Sequence, residues 1–182
     1  AACHEHGLKL FVDGARLAYA LTSPANDVSM ADLARLSDVF YIGGTKCGTL
    51  FGEAVVIPDG GSIRQFVTQM KQHGALLAKG RLLGVQFEAL FEDDLYLTLG
   101  APGVAATKRI REALIRAGYV VTMDSPTNLT FVALDQAGHE RLSRKVQYGI
   151  WETLPDGRLL ARFCTSWGTP EEDIKAFEAA LA

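Results

Sequence analysis

Apolar residues collect in short runs closed by glycines in the first half of the chain and in helix-spaced stripes farther on. The run "LKLFV" (8–12) ends at Asp13 and predicts a strand. Residues 14–21 read as a loop or short turn. Met30, Leu33, Ala34 and Leu36 recur at helical spacing within 28–37, and Ser29 is the matching N-cap. A second run, 38–42, closes on Gly43-Gly44, and "EAVVIP" (53–58) predicts a third strand before Asp59-Gly60-Gly61. Strand, helix and strand in that order predict a βαβ unit, with parallel neighbours and a right-handed crossover.

Residues 62–94 have a helical pattern in two pieces, broken near Gly74. The next helix fits 101–117, with Pro102 in its first turn, Ile110, Ala113, Leu114 and Ala117 on one face, and Gly118 as its stop. Strands at 119–123, 129–134, 149–153 and 159–164, with helices near 136–147 and 170–181, form an α+β layer. The boundary falls near 95–103, with the 101–117 helix as bridge. Residues 1–98 then form part of a large domain and 99–182 a small α+β domain.

Composition narrows the partners. The 182 residues suffice for one domain, or for a large domain plus a small one. Apolar residues make up 48% and charged residues 21%, the balance of an ordered globular chain. A net charge of −3 argues against nucleic acid, which rewards a basic surface. No basic run of membrane-surface type occurs, and no apolar stretch approaches spanning length. Cys3, Cys47 and Cys164 are odd in number and far apart, which suits free thiols and the cytoplasm. The opening Ala1–Gly7, with Gly7 as C-cap, reads as the tail of a helix, so a preceding segment of the same protein is expected. His4 and His6 are expected at helix-end carbonyls, and His73 and His139 on the surface; no metal is expected.

In parallel α/β sheets, ligands collect beyond the carboxyl ends of strands. Asp13 and the Gly43–Lys46 turn both occupy such ends. One reading makes them a turn cap and a solvated lysine, at most an ion pair. The other is chemical. A lysine dried by burial loses its proton and becomes an amine able to attack an aldehyde. Small neighbours leave room for a flat ligand, and an opposing carboxylate holds a proton on a pyridine nitrogen, the combination expected for pyridoxal phosphate. Competing frames fail. "GGTKCGT" is not a Walker loop, no G-x-G-x-x-G follows an early strand, Ser166 lacks a G-x-S-x-G frame, and Asp93-Asp94 reads as a solvated helix end.

The segment "HGLKLFVDGARLAYAL" (6–21) resembles the H-G-x-x-x-x-x-D-G-A-R-L stretch of the threonine aldolase and β-eliminating lyase family. "IGGTKCG" followed by "GEAVVI" is similar to that family's cofactor-lysine segment, and "LLAKGRLLGVQFEAL" (76–90) to the helix after it. The resemblance covers nearly the whole chain as the family's carboxyl-terminal portion. It implies an α/β, aspartate-aminotransferase fold and a pyridoxal phosphate-dependent lyase. By position, Lys46 would be the Schiff-base lysine and Asp13 the partner of the pyridine nitrogen. Arg16 and Arg162, the latter in "LLARFCTSWGT", would bind the substrate carboxylate, and Thr45 would touch the phosphate, with Lys79 and Arg81 reaching it across a dimer. The implied reaction is retro-aldol cleavage of L-threonine or L-allo-threonine to glycine and acetaldehyde by a homodimer or homotetramer. The alternatives are β-elimination from an aromatic or sulfur amino acid, and an inactive dimerisation module. The family's phosphate loop, ring-stacking residue and a further histidine belong to an amino-terminal part these residues do not include. Cys47 has no implied role beyond packing.

Overall fold

The computed structural model describes residues 2–182; Ala1, the first residue of the expected helical tail, lies outside them. The chain forms two compact units, one of Ala1–Leu21 and Asn26–Thr98, the other of Thr22–Ala25 and Leu99–Ala182.

In the first unit, α1 (Ala2–Glu5) ends at Gly7, whose φ of +64° supplies the left-handed cap, and Leu8 N–H closes onto the Cys3 carbonyl at 2.8 Å. Strand β1 is only Phe11–Val12, shorter than the 8–12 run. The reason lies at Asp38, whose carboxylate takes the Leu10 N–H at 2.8 Å in place of a ladder partner. A helix, α2 (Leu17–Leu21), stands where a loop was expected. Its sequence, LAYAL, is apolar on every side and Leu17, Ala18 and Tyr19 are all buried, so no amphipathic period marks it. Helix α3 (Met30–Leu36) starts at the expected Ser29, which forms a capping box with Asp32.

Strand β2 (Val39–Gly43) lies parallel to β1, with Phe11 beside Val39 and Val12 beside Phe40. Strand β3 (Glu53–Val56) runs antiparallel on the other side of β2, giving the order β1-β2-β3. Helices α4 (Phe66–Gln72) and α5 (Arg81–Phe91) flank a break that contains Gly74 at φ +71°. A 3₁₀ turn at Glu92–Asp94 then leads into α6 (Leu95–Leu99), with Asp93 and Asp94 both at positive φ.

In the second unit, α7 (Ala101–Arg116) carries Pro102 in its first turn. It is followed by β4 (Val120–Val121), β5 (Leu129–Leu134), α8 (Gln136–Ser143), β6 (Gly149–Thr153), β7 (Leu159–Cys164) and α9 (Glu171–Leu181). Helix α8 stops before the expected 147, where the Lys145 and Val146 N–H groups both turn back to the Leu142 carbonyl at 3.0 Å. The sheet is antiparallel, in the order β4-β5-β7-β6. Its inner face presents Val132, Leu134, Ala161 and Phe163 to Leu114 of α7 and Ile174 of α9. Arg109 fastens α7 to α9 through Glu171 at 2.7 Å and Glu178 at 2.6 Å. His139 is not the free surface group expected, for it is half-buried with Nδ1 2.8 Å from the Tyr148 hydroxyl.

Candidate functional site

Because β1 and β2 are parallel neighbours, the loops that follow them leave the sheet at one edge. They are bonded to each other there, Gly43 N–H donating to the Gly14 carbonyl at 2.9 Å. Neither glycine tolerates a side chain. A Cβ on Gly14 would lie 1.9 Å from the Tyr41 carbonyl oxygen, and one on Gly43 would lie 2.4 Å from that of Ala15. The glycines of the turn are there for this contact between backbones.

The turn beyond β2 is equally fixed. Gly44 N–H donates to a Glu53 carboxylate oxygen at 2.7 Å, and the Gly44 carbonyl accepts from Cys47 N–H at 2.8 Å and Thr49 N–H at 3.1 Å. The Tyr19 hydroxyl, from α2, donates to the Lys46 carbonyl at 2.9 Å, and the buried Tyr96 hydroxyl donates to that of Gly43 at 2.8 Å. Cys47 packs fully buried beneath the turn, its Sγ 3.8 Å from the Ala15 carbonyl, and burial pushes its thiol pKa up. Lys46 therefore has an anchored backbone and an exposed side chain. The expectation of a lysine dried by burial is not met among the described residues, because only Cys47 of its two neighbours packs inward, while Thr45 and Lys46 are both exposed.

Asp13 is exposed as well, yet its orientation is determined. Oδ1 accepts from the Ala15 N–H at 3.0 Å and from the Tyr41 hydroxyl, whereas no group among the described residues bonds to Oδ2. The hydrogen bond from Tyr41 chiefly, then the one from Ala15, holds the Asp13 pKa below the usual carboxylate value, and the charges of Lys46 and Arg16 add to this. The reciprocal effect pushes the Tyr41 phenol up to about 12.

Of the residues singled out from the sequence, Asp13, Arg16, Thr45 and Lys46 all lie on the two loops after β1 and β2. Arg16 opens α2 and is half-buried; Thr45 is exposed, its hydroxyl directed at the Gly52 carbonyl at 3.4 Å. Lys79 and Arg81 are exposed at the start of α5. Arg162 belongs to the second unit, midway along β7, with its guanidinium carbon 4.7 Å from the centre of the Trp151 ring. His4 meets the Asp38 carboxylate at 3.4 Å rather than a helix-end carbonyl. No group of three or more His, Cys, Asp or Glu side chains among the described residues is arranged to hold a metal. Tyr41, Tyr19 and Tyr96 escaped the sequence reading. For Tyr41 a signal existed: it stands two residues before Gly43 in β2, beside the strand that delivers Asp13.

Comparison with known proteins adds to this geometry. The model of the beta-eliminating lyase family matches residues 1–147. A low specificity L-threonine aldolase from Pseudomonas aeruginosa is 29% identical over 180 residues, which are 96% of this chain and 50% of that protein. Another, from a Pseudomonas species, is 28% identical and covers 100% of this chain and 52% of the relative. Among solved structures, the threonine aldolase of Leishmania major is 43% identical with a TM-score of 0.91, over 99% of this chain and 53% of that one. The serine palmitoyltransferase of Sphingomonas wittichii, at 15% identity and a TM-score of 0.64 over 97% of this chain and 48% of that one, shares the fold alone. The chain thus spans about half the length of the relatives it matches.

Proposed function

The chain belongs to the beta-eliminating lyase family, whose cofactor is pyridoxal phosphate, and on that premise we propose that it is part of an enzyme cleaving L-threonine or L-allo-threonine to glycine and acetaldehyde. In this reading residues 1–98 close the large cofactor-binding domain and residues 99–182 are the small domain. The residues present fit the cofactor. Asp13 has one oxygen tied to the protein and the other unbonded, and Lys46 makes no ion pair among the described residues. Both stand on loops that leave the sheet at one edge, held together by the Gly43 N–H to Gly14 carbonyl bond.

Lys46 is then the residue that holds the cofactor covalently through Nζ, and Asp13 the one that keeps a proton on the ring nitrogen through Oδ2. Bound there, pyridoxal phosphate supplies an electron sink for a bond broken at the amino-acid α-carbon. Asp13 suits its role because Tyr41, Ala15 N–H and two nearby cations keep it ionised at neutral pH. Arg16 and Arg162 grip the substrate carboxylate, since a planar guanidinium donates paired hydrogen bonds. Thr45, Lys79 and Arg81 serve the phosphate. Removal of the β-hydroxyl proton is assigned to none of these residues; that base comes from the part of the protein preceding them or from water.

The reading also includes a homodimer or homotetramer working in the cytoplasm. It draws on three free cysteines and on exposed apolar side chains such as Leu50, Phe51 and Leu82. No helix among the described residues is long and apolar enough to cross a membrane. The observation that carries the proposal is the pairing of Asp13 and Lys46 on loop tips bonded to each other, in a chain 43% identical to a threonine aldolase of known structure. The test is a product assay on the full-length protein. Acetaldehyde released from L-threonine is the expected outcome; pyruvate from tyrosine or cysteine, without acetaldehyde from threonine, would overturn it in favour of β-elimination.

A further inference from the structure

Arg162 is a half-buried cation with no carboxylate partner among the described residues. Its neighbours along β7, Ala161 and Phe163, face the core beneath the helices, so Arg162 projects from the opposite face of the sheet. Directly across the sheet it stands between Phe131 on β5 and Gly149 on β6, the latter without a side chain to crowd it.

Strand β6 is irregular at this place. Ile150 pairs with Ala161 and Glu152 with Leu160, so Trp151 is an extra residue in the strand, a bulge. Bulges re-aim the side chain they insert. Here the indole comes to lie under the Arg162 guanidinium, 4.7 Å from ring centre to central carbon, and meets the Phe131 ring edge-on at 6.1 Å. Trp151 is nonetheless 56% exposed, so burial does not account for its place in the sheet.

The manner of holding matters chemically. A carboxylate partner would occupy the in-plane N–H groups of Arg162 and neutralise its charge. An aromatic ring carries no countercharge and no carboxylate oxygens, so it leaves the positive charge of a guanidinium and its N–H fork available to an anion. It also restricts a long side chain before any ligand arrives, so less rotamer freedom is lost on binding. A guanidinium held over a ring and free of any carboxylate is suited to a planar oxyanion bound through two parallel hydrogen bonds.

We propose that Trp151 is a positioning residue that pre-sets Arg162 for bidentate capture of the substrate carboxylate. The proposal rests on the assignment of Arg162 to that carboxylate, and the experiment separates the two. In the full-length, cofactor-loaded protein, Trp151→Leu keeps an apolar side chain and removes the aromatic face, Trp151→Phe restores one, and Arg162→Ala removes the cation. Trp151→Leu is expected to raise KM for L-threonine about tenfold with kcat little changed, and Trp151→Phe to recover most of the loss. The methyl ester of threonine, which lacks the carboxylate charge, should show no such rise in KM or inhibition constant. An unchanged KM in Trp151→Leu alongside a raised KM in Arg162→Ala overturns the positioning role and leaves the Arg162 assignment standing. An unchanged KM in Arg162→Ala overturns both. A variant whose kcat falls while KM holds also counts against the proposal, because pre-orienting a binding group acts on affinity.

Discussion

Asp13 divides its two oxygens between the protein and the site. Oδ1 takes the hydrogen bonds from Tyr41 and Ala15, which fix the plane of the carboxylate and lower its pKa, while Oδ2 has no bonded partner among the described residues. Two substitutions separate these functions. Asp13→Asn cannot keep a proton on a pyridine nitrogen, so turnover should fall by several orders of magnitude while covalent attachment of the cofactor at Lys46 survives; an unchanged rate would refute the role. Tyr41→Phe leaves the carboxylate in place but loosens it, and the expected loss of turnover is about ten- to a hundredfold, the range of a hydrogen bond to a charged group. The same variant should remove a tyrosine ionising near pH 12 from an ultraviolet titration. If the phenol lost instead ionises in the ordinary range near 10, the hydrogen bond does not form in solution.

The two strands that carry the site are joined below it by one side chain. Asp38 accepts from Lys9 Nζ and from Leu10 N–H, both at 2.8 Å, and these bonds bring its pKa down to about 2 from the ordinary 3.8. A folded-state pKa below the unfolded one gives stability that is present above the unfolded value and lost as pH falls through the folded value. Thermal melting should therefore decline below about pH 4 toward pH 2, and Asp38→Asn should flatten part of that decline. The remainder is shared among Asp13, Asp32, Asp156, Glu171 and Glu178, whose pKa values are lowered in the same direction. A variant with the full wild-type pH dependence would show that Asp38 does not join the strands. Asp38 also explains what the sequence could not reveal. The apolar run 8–12 promised a longer strand, but a side chain 28 residues away takes the Leu10 N–H, and hydropathy carries no trace of that bond. Helix α2 was hidden by being apolar on all sides. Strands at 129–134, 149–153 and 159–164 were legible because each is a compact run closed by turn residues. The site followed the same division. Asp13 and Lys46 could be proposed because strand ends are visible in the hydrophobic pattern, whereas Tyr41 and the exposure of Lys46 depend on register and side-chain direction.

For the molecule as a whole, the family match reaches residue 147 and the relatives are about twice this length, so the proposed function is tested on the full-length protein. In the proposed reading, the anchored backbone and exposed side chain of Lys46 leave its amine within reach of an aldehyde. The most direct measurement is borohydride reduction of the full-length protein in the presence of pyridoxal phosphate, followed by peptide mass mapping. The account predicts a pyridoxyl group on the peptide containing Lys46, absent after Lys46→Ala. A stable label on another lysine, with Lys46 unmodified, would contradict it.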